Sequence, residues 1–159
     1  MEEQIDEEID FTKLCRDRYV RKVNYYETDR MQITHHSNYI RFMEEARVYF
    51  LEKLGWGYDR FEKEGVVSPV IHVEFNYRKS TTYPDELEIQ VRVVEAGGVR
   101  LSLAYKMFCR GELVGDGKTA HCFLDSDGRP ISYKKKYPEF YDLIKQWMKA
   151  DKKYELMGR

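Results

Sequence analysis

Residues 25–55 read YYETDRMQITHHSNYIRFMEEARVYFLEKLG, and this stretch decides the fold. In its second half Tyr39, Phe42, Met43, Ala46, Tyr49, Phe50 and Leu54 recur at helical spacing and form a broad apolar face. Arg41, Glu44, Glu45 and Glu52 fall mostly off that face. Ser37 suits an N-cap and Gly55 suits a left-handed stop, so the spacing predicts a helix beginning at Asn38 and ending before Gly55. The first half, Glu27 to Ser37, has no regular period and reads as a loop that holds Asp29. The result is an acid beside a helix N-terminus. Helix-terminal N–H groups have no intrahelical partners and sit at the positive end of the dipole. That suits attack on a carbonyl whose oxygen becomes negative.

Outward from this stretch the pattern changes. Arg18 to Tyr26 alternates loosely, is rich in β-formers and reads as a first strand. Tyr58 to Glu64 fits one or two helical turns. From Val66 the period becomes two, and Ile71, Val73, Phe75 and Tyr77 are expected to face the core. Thr82 to Asp85 is a turn. Leu87, Ile89, Val91 and Val93 alternate, Ala96-Gly97-Gly98 closes a hairpin, and Leu101, Leu103, Tyr105 and Met107 alternate again. Arg110-Gly111 turns the chain into a last strand over Leu113–Leu124. Hairpin-linked strands argue for an antiparallel sheet. A helix apolar over much of its circumference needs cover on most sides, which a strongly curved sheet supplies. Pro138 to Met148 is a plausible closing helix, with Phe140, Leu143, Ile144 and Trp147 on one face. The expected organisation is one domain over 18–150, between a flexible acidic tail at 1–17 and a solvated tail at 151–159.

The chain has 159 residues, enough for a real core, and thirteen Tyr among its aromatics. A formal net charge of -1 gives no global pointer to nucleic acid or to a membrane surface. There is neither a long apolar run nor a basic-then-apolar leader, so a soluble cytoplasmic protein is expected. Cys15, Cys109 and Cys122 have no C-x-x-C spacing and suit a reducing compartment. Asp125-Ser126-Asp127-Gly128 opens like a calcium loop, but Lys136 stands where the bidentate Glu belongs. No clustered ligand set is found, and neither metal nor cofactor is expected.

The segments Tyr26-Glu27-Thr28-Asp29, His36-Ser37-Asn38-Tyr39 and Phe42-Met43-Glu44-Glu45-Ala46-Arg47 resemble the acyl-CoA thioesterases of the 4-hydroxybenzoyl-CoA thioesterase type. The stretch FNYRKSTTYPDELEI adds to the likeness, which covers roughly Tyr19 to Leu124. The resemblance implies an α+β hotdog fold, a curved antiparallel sheet wrapped around one long helix. It implies hydrolysis of an acyl-CoA thioester with Asp29 as the catalytic carboxylate, either nucleophile or general base. The backbone N–H at His36 would polarise the carbonyl. Many relatives carry Gly three positions after the Asp, where this chain has Gln32, and that change bears on pocket shape and substrate range.

Asp29 and His36 are therefore the catalytic candidates. A loop Asp is commonly only a turn carboxylate, and His36 serves either by orienting substrate or through its backbone alone. Gln32, Ser37, Tyr39 and Met43 are candidate substrate contacts, although a helical apolar stripe is more often core. Arg78 and Lys79, with Arg100, are candidates for the coenzyme A phosphates. His35, His72 and His121 read as structural or sheet residues. The resemblance also implies a homodimer or tetramer with the site between subunits. Release of acyl groups from acyl-carrier protein and non-catalytic acyl-CoA binding are the competing readings.

Overall fold

The computed structural model describes residues 8–157. The predicted helix is α2 (Asn38–Lys53), and its residues Tyr39, Phe42, Met43, Ala46 and Phe50 are all buried. It ends because Gly55, just past the C-cap Leu54, takes φ 76°, which glycine adopts without steric cost. The start differs from expectation. Ser37 is helical at φ -63° and makes no side-chain cap bond. Its hydroxyl lies 2.7 Å from His35 Nδ1 instead.

Around α2 curves one antiparallel sheet of β1 (Tyr19–Lys22), β2 (Val70–Tyr77), β3 (Glu86–Ala96), β4 (Leu101–Cys109) and β5 (Glu112–His121), in the order β1-β3-β4-β5-β2. This is the architecture that the hotdog resemblance implied. Leu87, Ile89, Leu103, Tyr105 and Met107 form the buried inner face, as the period-two alternation required. The Arg110-Gly111 turn between β4 and β5 has φ 49° and 77°, the paired left-handed conformations of a tight hairpin.

The turn after β2 carries the chain across the sheet, because β2 pairs with β5 and β3 enters at the other side. One feature departs from the sequence reading: the expected inward face of β2 is only partly covered, with Ile71 49 % exposed, Val73 38 % and Tyr77 53 %. Alternation reports which residues share a face, not whether anything lies on it. Phe75 is the exception. Its ring lies over Gly115 and Gly117 of β5, where no side chain stands in the way, and stacks on Tyr39 with centroids 5.1 Å apart.

Both ends of the described chain are more ordered than the sequence suggested. Phe11–Arg16, within the expected tail, form α1 with Leu14 and Cys15 buried, while residues 1–7 of that tail lie outside the described residues. The closing helix α5 (Pro138–Leu156) runs on past Met148 into the expected tail and buries Asp151. Trp147 of α5 stacks on Phe50 of α2 with centroids 5.6 Å apart. Short helices α3 (Tyr58–Lys63) and α4 (Tyr133–Lys136) contribute Phe61 and Tyr133 to an aromatic plug with Trp56, Phe123, Tyr137 and Phe140. No helix among the described residues is long and apolar enough to cross a membrane.

β1 pairs only with residues 86–89 of β3, and α5 packs against β3. Burial pushes the Asp151 carboxyl up to about 6, against opposing pulls from Cys15, Arg92 and the Val93 N–H. In the unfolded chain it titrates near 3.8. Between those values the unfolded chain loses its proton while the folded chain keeps it, so stability falls as pH rises through this window and is flat above it. Asp151→Asn keeps the shape and cannot ionise. It is expected to be about 1–2 kcal/mol more stable than wild type near neutral pH, with the gap closing by about pH 4. Denaturant midpoints across pH measure this, and a gap independent of pH contradicts it.

Candidate active site

The Asp29 loop is a tight turn with its ends drawn together by a bridge between Thr28 and Thr34. The Asp29 N–H donates to Ile33 O at 3.0 Å, and the Gln32 N–H donates to Asp29 O at 2.9 Å. Asp29 Oδ1 accepts the Met31 N–H at 2.8 Å. Gln32 takes φ 63°, so the place where the resemblance expects glycine does have a left-handed backbone. A residue with a Cβ pays about 1–2 kcal/mol for that conformation. The Thr82 hydroxyl donates to Gln32 O at 2.7 Å and holds the turn from outside.

The helix entrance is anchored by Glu27, which is buried, ion-paired with Arg21 and bonded to the Asn24 N–H at 2.7 Å. Arg21 also bridges to Glu45 of α2 at 2.9 Å and lies over the Phe42 ring. The carbonyl of Glu27 accepts the His35 N–H at 2.8 Å and the Asn38 side-chain amide at 2.9 Å. The Asn38 and Tyr39 N–H groups then turn back to the carbonyls of His35 and His36. Among the described residues the His36 N–H has no hydrogen-bond partner within the chain. The His36 carbonyl also accepts the Tyr77 hydroxyl at 3.0 Å, which ties the helix entrance to the end of β2.

Asp29, His36 and Tyr39 line one cavity of about 250 Å³, together with Arg78 and Lys79. Five of the eight residues nominated from sequence thus converge. Gln32 and Ser37 are exposed and lie outside the lining, because the left-handed turn and the bond to His35 direct them elsewhere. Met43 is a correction: it is fully buried in the core, with its sulfur against Gly117. Arg78 and Lys79 are already paired, with Asp116 and with Glu112 respectively. Arg100 pairs with Glu95 and does not reach the cavity. The remaining lining was not nominated: Met31, Ile33, Thr34, Tyr77 and Ser80. For Tyr77 a signal existed, since it shares the β2 face with Phe75. Met31 and Ile33 flank a turn with no periodicity to read.

Away from the cavity, Arg47 is buried and donates to the hydroxyls of Tyr58 and Tyr105 at 2.6 Å and 3.1 Å. Tyr105 continues to Thr119, and Thr119 to His121. Burial, with Arg47 nearby, pushes His121 down to about 3, so it stays neutral as a structural residue.

A long helix wrapped by a curved antiparallel sheet, with a pocket at the helix entrance, is the hotdog architecture. Residues 23–148 match the family model of the thioesterase-like superfamily, and the chain belongs to that superfamily. It is 30% identical over 122 residues, covering 76% of this chain and 88% of the relative, to YneP of Bacillus subtilis (strain 168), provisionally named an acyl-CoA thioesterase. It is 30% identical to a DHNA-CoA thioesterase from Staphylococcus aureus, at a TM-score of 0.74 over 89% of this chain and 92% of that one. The structure of a hypothetical protein from Aquifex aeolicus is 32% identical, at a TM-score of 0.73 over 77% of this chain and 96% of that one.

Proposed function

We propose that this chain hydrolyses acyl-CoA thioesters at the Asp29 cavity. The observation that carries the reading is that Asp29 and His36 open onto one space, with the His36 N–H left without an acceptor. A thioester carbonyl whose oxygen points at that N–H presents its carbon to the carboxylate. As the oxygen becomes negative it gains from the donor and from the positive end of α2. Asp29 then attacks the carbon directly, or takes a proton from a water that attacks it. The C–S bond breaks either way, and coenzyme A leaves as a thiolate that takes up a proton; on the direct route a water then cleaves the acyl–Asp29 anhydride, releasing the free acid and restoring the carboxylate. The Met31 N–H holds Asp29 Oδ1, leaving the other oxygen for the chemistry. Tyr39 and Tyr77 form apolar walls, and Arg78 and Lys79 at the rim suit phosphate groups. The named relatives, one of them a DHNA-CoA thioesterase, support a CoA-bound acyl group over one carried on a protein. Thiol release from aromatic and straight-chain acyl-CoAs tests the proposal; binding of every member without release refutes it.

The working unit in this reading is a homodimer at least. β2 is at the edge of the sheet, eight residues long, with Val70, Ile71 and Val73 exposed along it and Ile40 of α2 exposed as well. An unprotected edge of this kind is a template for pairing with another strand, and a second copy satisfies it. Tyr77 lies at the end of the same strand, which puts the cavity beside the seam. Light scattering is expected to give twice the chain mass of 19.1 kDa or a higher multiple. An active monomer contradicts the assembly.

A further inference from the structure

We infer that Thr82, in the connection from β2 to β3, is a positioning residue for Asp29, because its hydroxyl clamps the left-handed turn residue Gln32. The inference rests on the proposed role of Asp29. Thr82 is exposed and far from it in sequence, and nothing in the sequence pattern links the two. The structure links them in short steps. The Thr82 Oγ donates to Gln32 O at 2.7 Å, the Gln32 N–H donates to Asp29 O at 2.9 Å, and Asp29 Oδ1 accepts the Met31 N–H at 2.8 Å.

The clamp is itself held on both sides. On one side the neighbouring Thr81 is 2 % exposed, and its carbonyl accepts the Thr34 N–H at 2.7 Å. Its hydroxyl bonds those of Thr34 at 2.7 Å and Tyr39 at 2.8 Å, so the same connection grips the far end of the Asp29 loop and the first turn of α2. On the other side the Thr82 N–H donates to Asp85 Oδ2 at 2.9 Å, and Arg110 donates to Asp85 Oδ1 at 2.8 Å. The Arg110 guanidinium and the Thr82 N–H outweigh burial and hold the Asp85 carboxyl below its usual range, so it stays an acceptor.

A glycine at position 32 would take φ 63° without steric cost and would need no clamp. Gln32 has a Cβ that disfavours the conformation. An external bond to its carbonyl supplies what the side chain takes away. Thr82 and Gln32 therefore act as a pair, and the effect of losing the hydroxyl depends on which residue stands at 32.

The test combines steady-state thiol release with exchange of the Gln32 amide followed by NMR. Thr82→Val is expected to lower kcat about tenfold with KM changed less than about twofold, since a small displacement of a reacting group costs rate without costing binding. Thr82→Ser, which keeps the hydroxyl, is expected to behave as wild type. In the Gln32→Gly background the same Thr82→Val change is expected to cost less than about twofold, the non-additivity that coupled residues show. The Gln32 amide is expected to exchange at least about fivefold faster in Thr82→Val, because the turn opens more readily. Unchanged exchange overturns the clamp whatever the kinetics show. Faster exchange with unchanged kcat, or an equal loss in the glycine background, overturns the positioning role. Full turnover in Asp29→Asn overturns the reading of the site itself.

Discussion

Asp29→Asn is expected to lose at least about a hundredfold in kcat while remaining folded, because removing a positioned proton acceptor or nucleophile costs that much or more. Asparagine has nearly the same shape, and its side-chain oxygen can still accept the Met31 N–H that Asp29 accepts at 2.8 Å. The turn keeps its other bonds, from Asp29 N–H to Ile33 O and from Gln32 N–H to Asp29 O, since both are made by backbone. What disappears is the negative charge and the basic oxygen facing the cavity. An amide neither attacks a thioester carbonyl at a useful rate nor takes a proton from water. Binding of acyl-CoA should therefore persist while thiol release stops. The measurement is thiol release under saturating substrate, with thermal unfolding alongside. Turnover near the wild-type value removes Asp29 from the chemistry.

Gly117→Val is expected to cost a large share of the fold's stability. A Cβ at this position would stand 2.7 Å from the Glu74 carbonyl oxygen and 2.8 Å from both Met43 Sδ and Phe75 Cδ2. Met43 is fully buried and the Glu74 oxygen belongs to the β2 backbone, so neither has room to yield. The Phe75 ring is displaced as well, and with it goes its stacking on Tyr39 and its edge contact with Tyr77. Overpacking of this kind costs about 3 kcal/mol, which lowers the melting temperature by roughly 6–12 °C in a chain of this size. Tyr39 and Tyr77 line the cavity, so thiol release should fall with the stability. Gly111→Ala is the informative companion. Its added Cβ meets nothing within 4 Å, and only the φ of 77° opposes it, for a cost of about 1–2 kcal/mol. A melting temperature for Gly117→Val within about 2 °C of wild type contradicts this packing account.

The central helix was legible because seven apolar residues keep helical spacing from Tyr39 to Leu54, and a buried helix leaves no freedom in which face turns inward. The strands were legible for the same reason at period two. The order of strands was not, because alternation is identical for neighbours and non-neighbours, and nothing in the β2 pattern says that its partner is β5. Coverage was not legible either: Val73 and Phe75 share one face, yet only Phe75 finds the gap left by Gly115 and Gly117. The role of Gly115 and Gly117 appears only once register is known. Asp151 reads as tail charge in sequence and as a buried carboxyl in the fold, since nothing local tells a solvated Lys-rich end from the last turns of a packed helix. In the site, Asp29, His36 and Tyr39 followed from motif and spacing. Thr81 and Thr82 did not, because their partners are dozens of positions away in sequence.

The proposed chemistry depends on where a thioester sits. The most direct measurement is a crystal structure of the Asp29→Asn protein with an intact acyl-CoA bound. The predicted result is a carbonyl oxygen about 2.9 Å from the His36 backbone nitrogen, with the carbonyl carbon within about 3.5 Å of the residue 29 side chain. A carbonyl bonded to any other donor, or an acyl group seated outside the cavity bounded by Asp29, His36 and Tyr77, contradicts it.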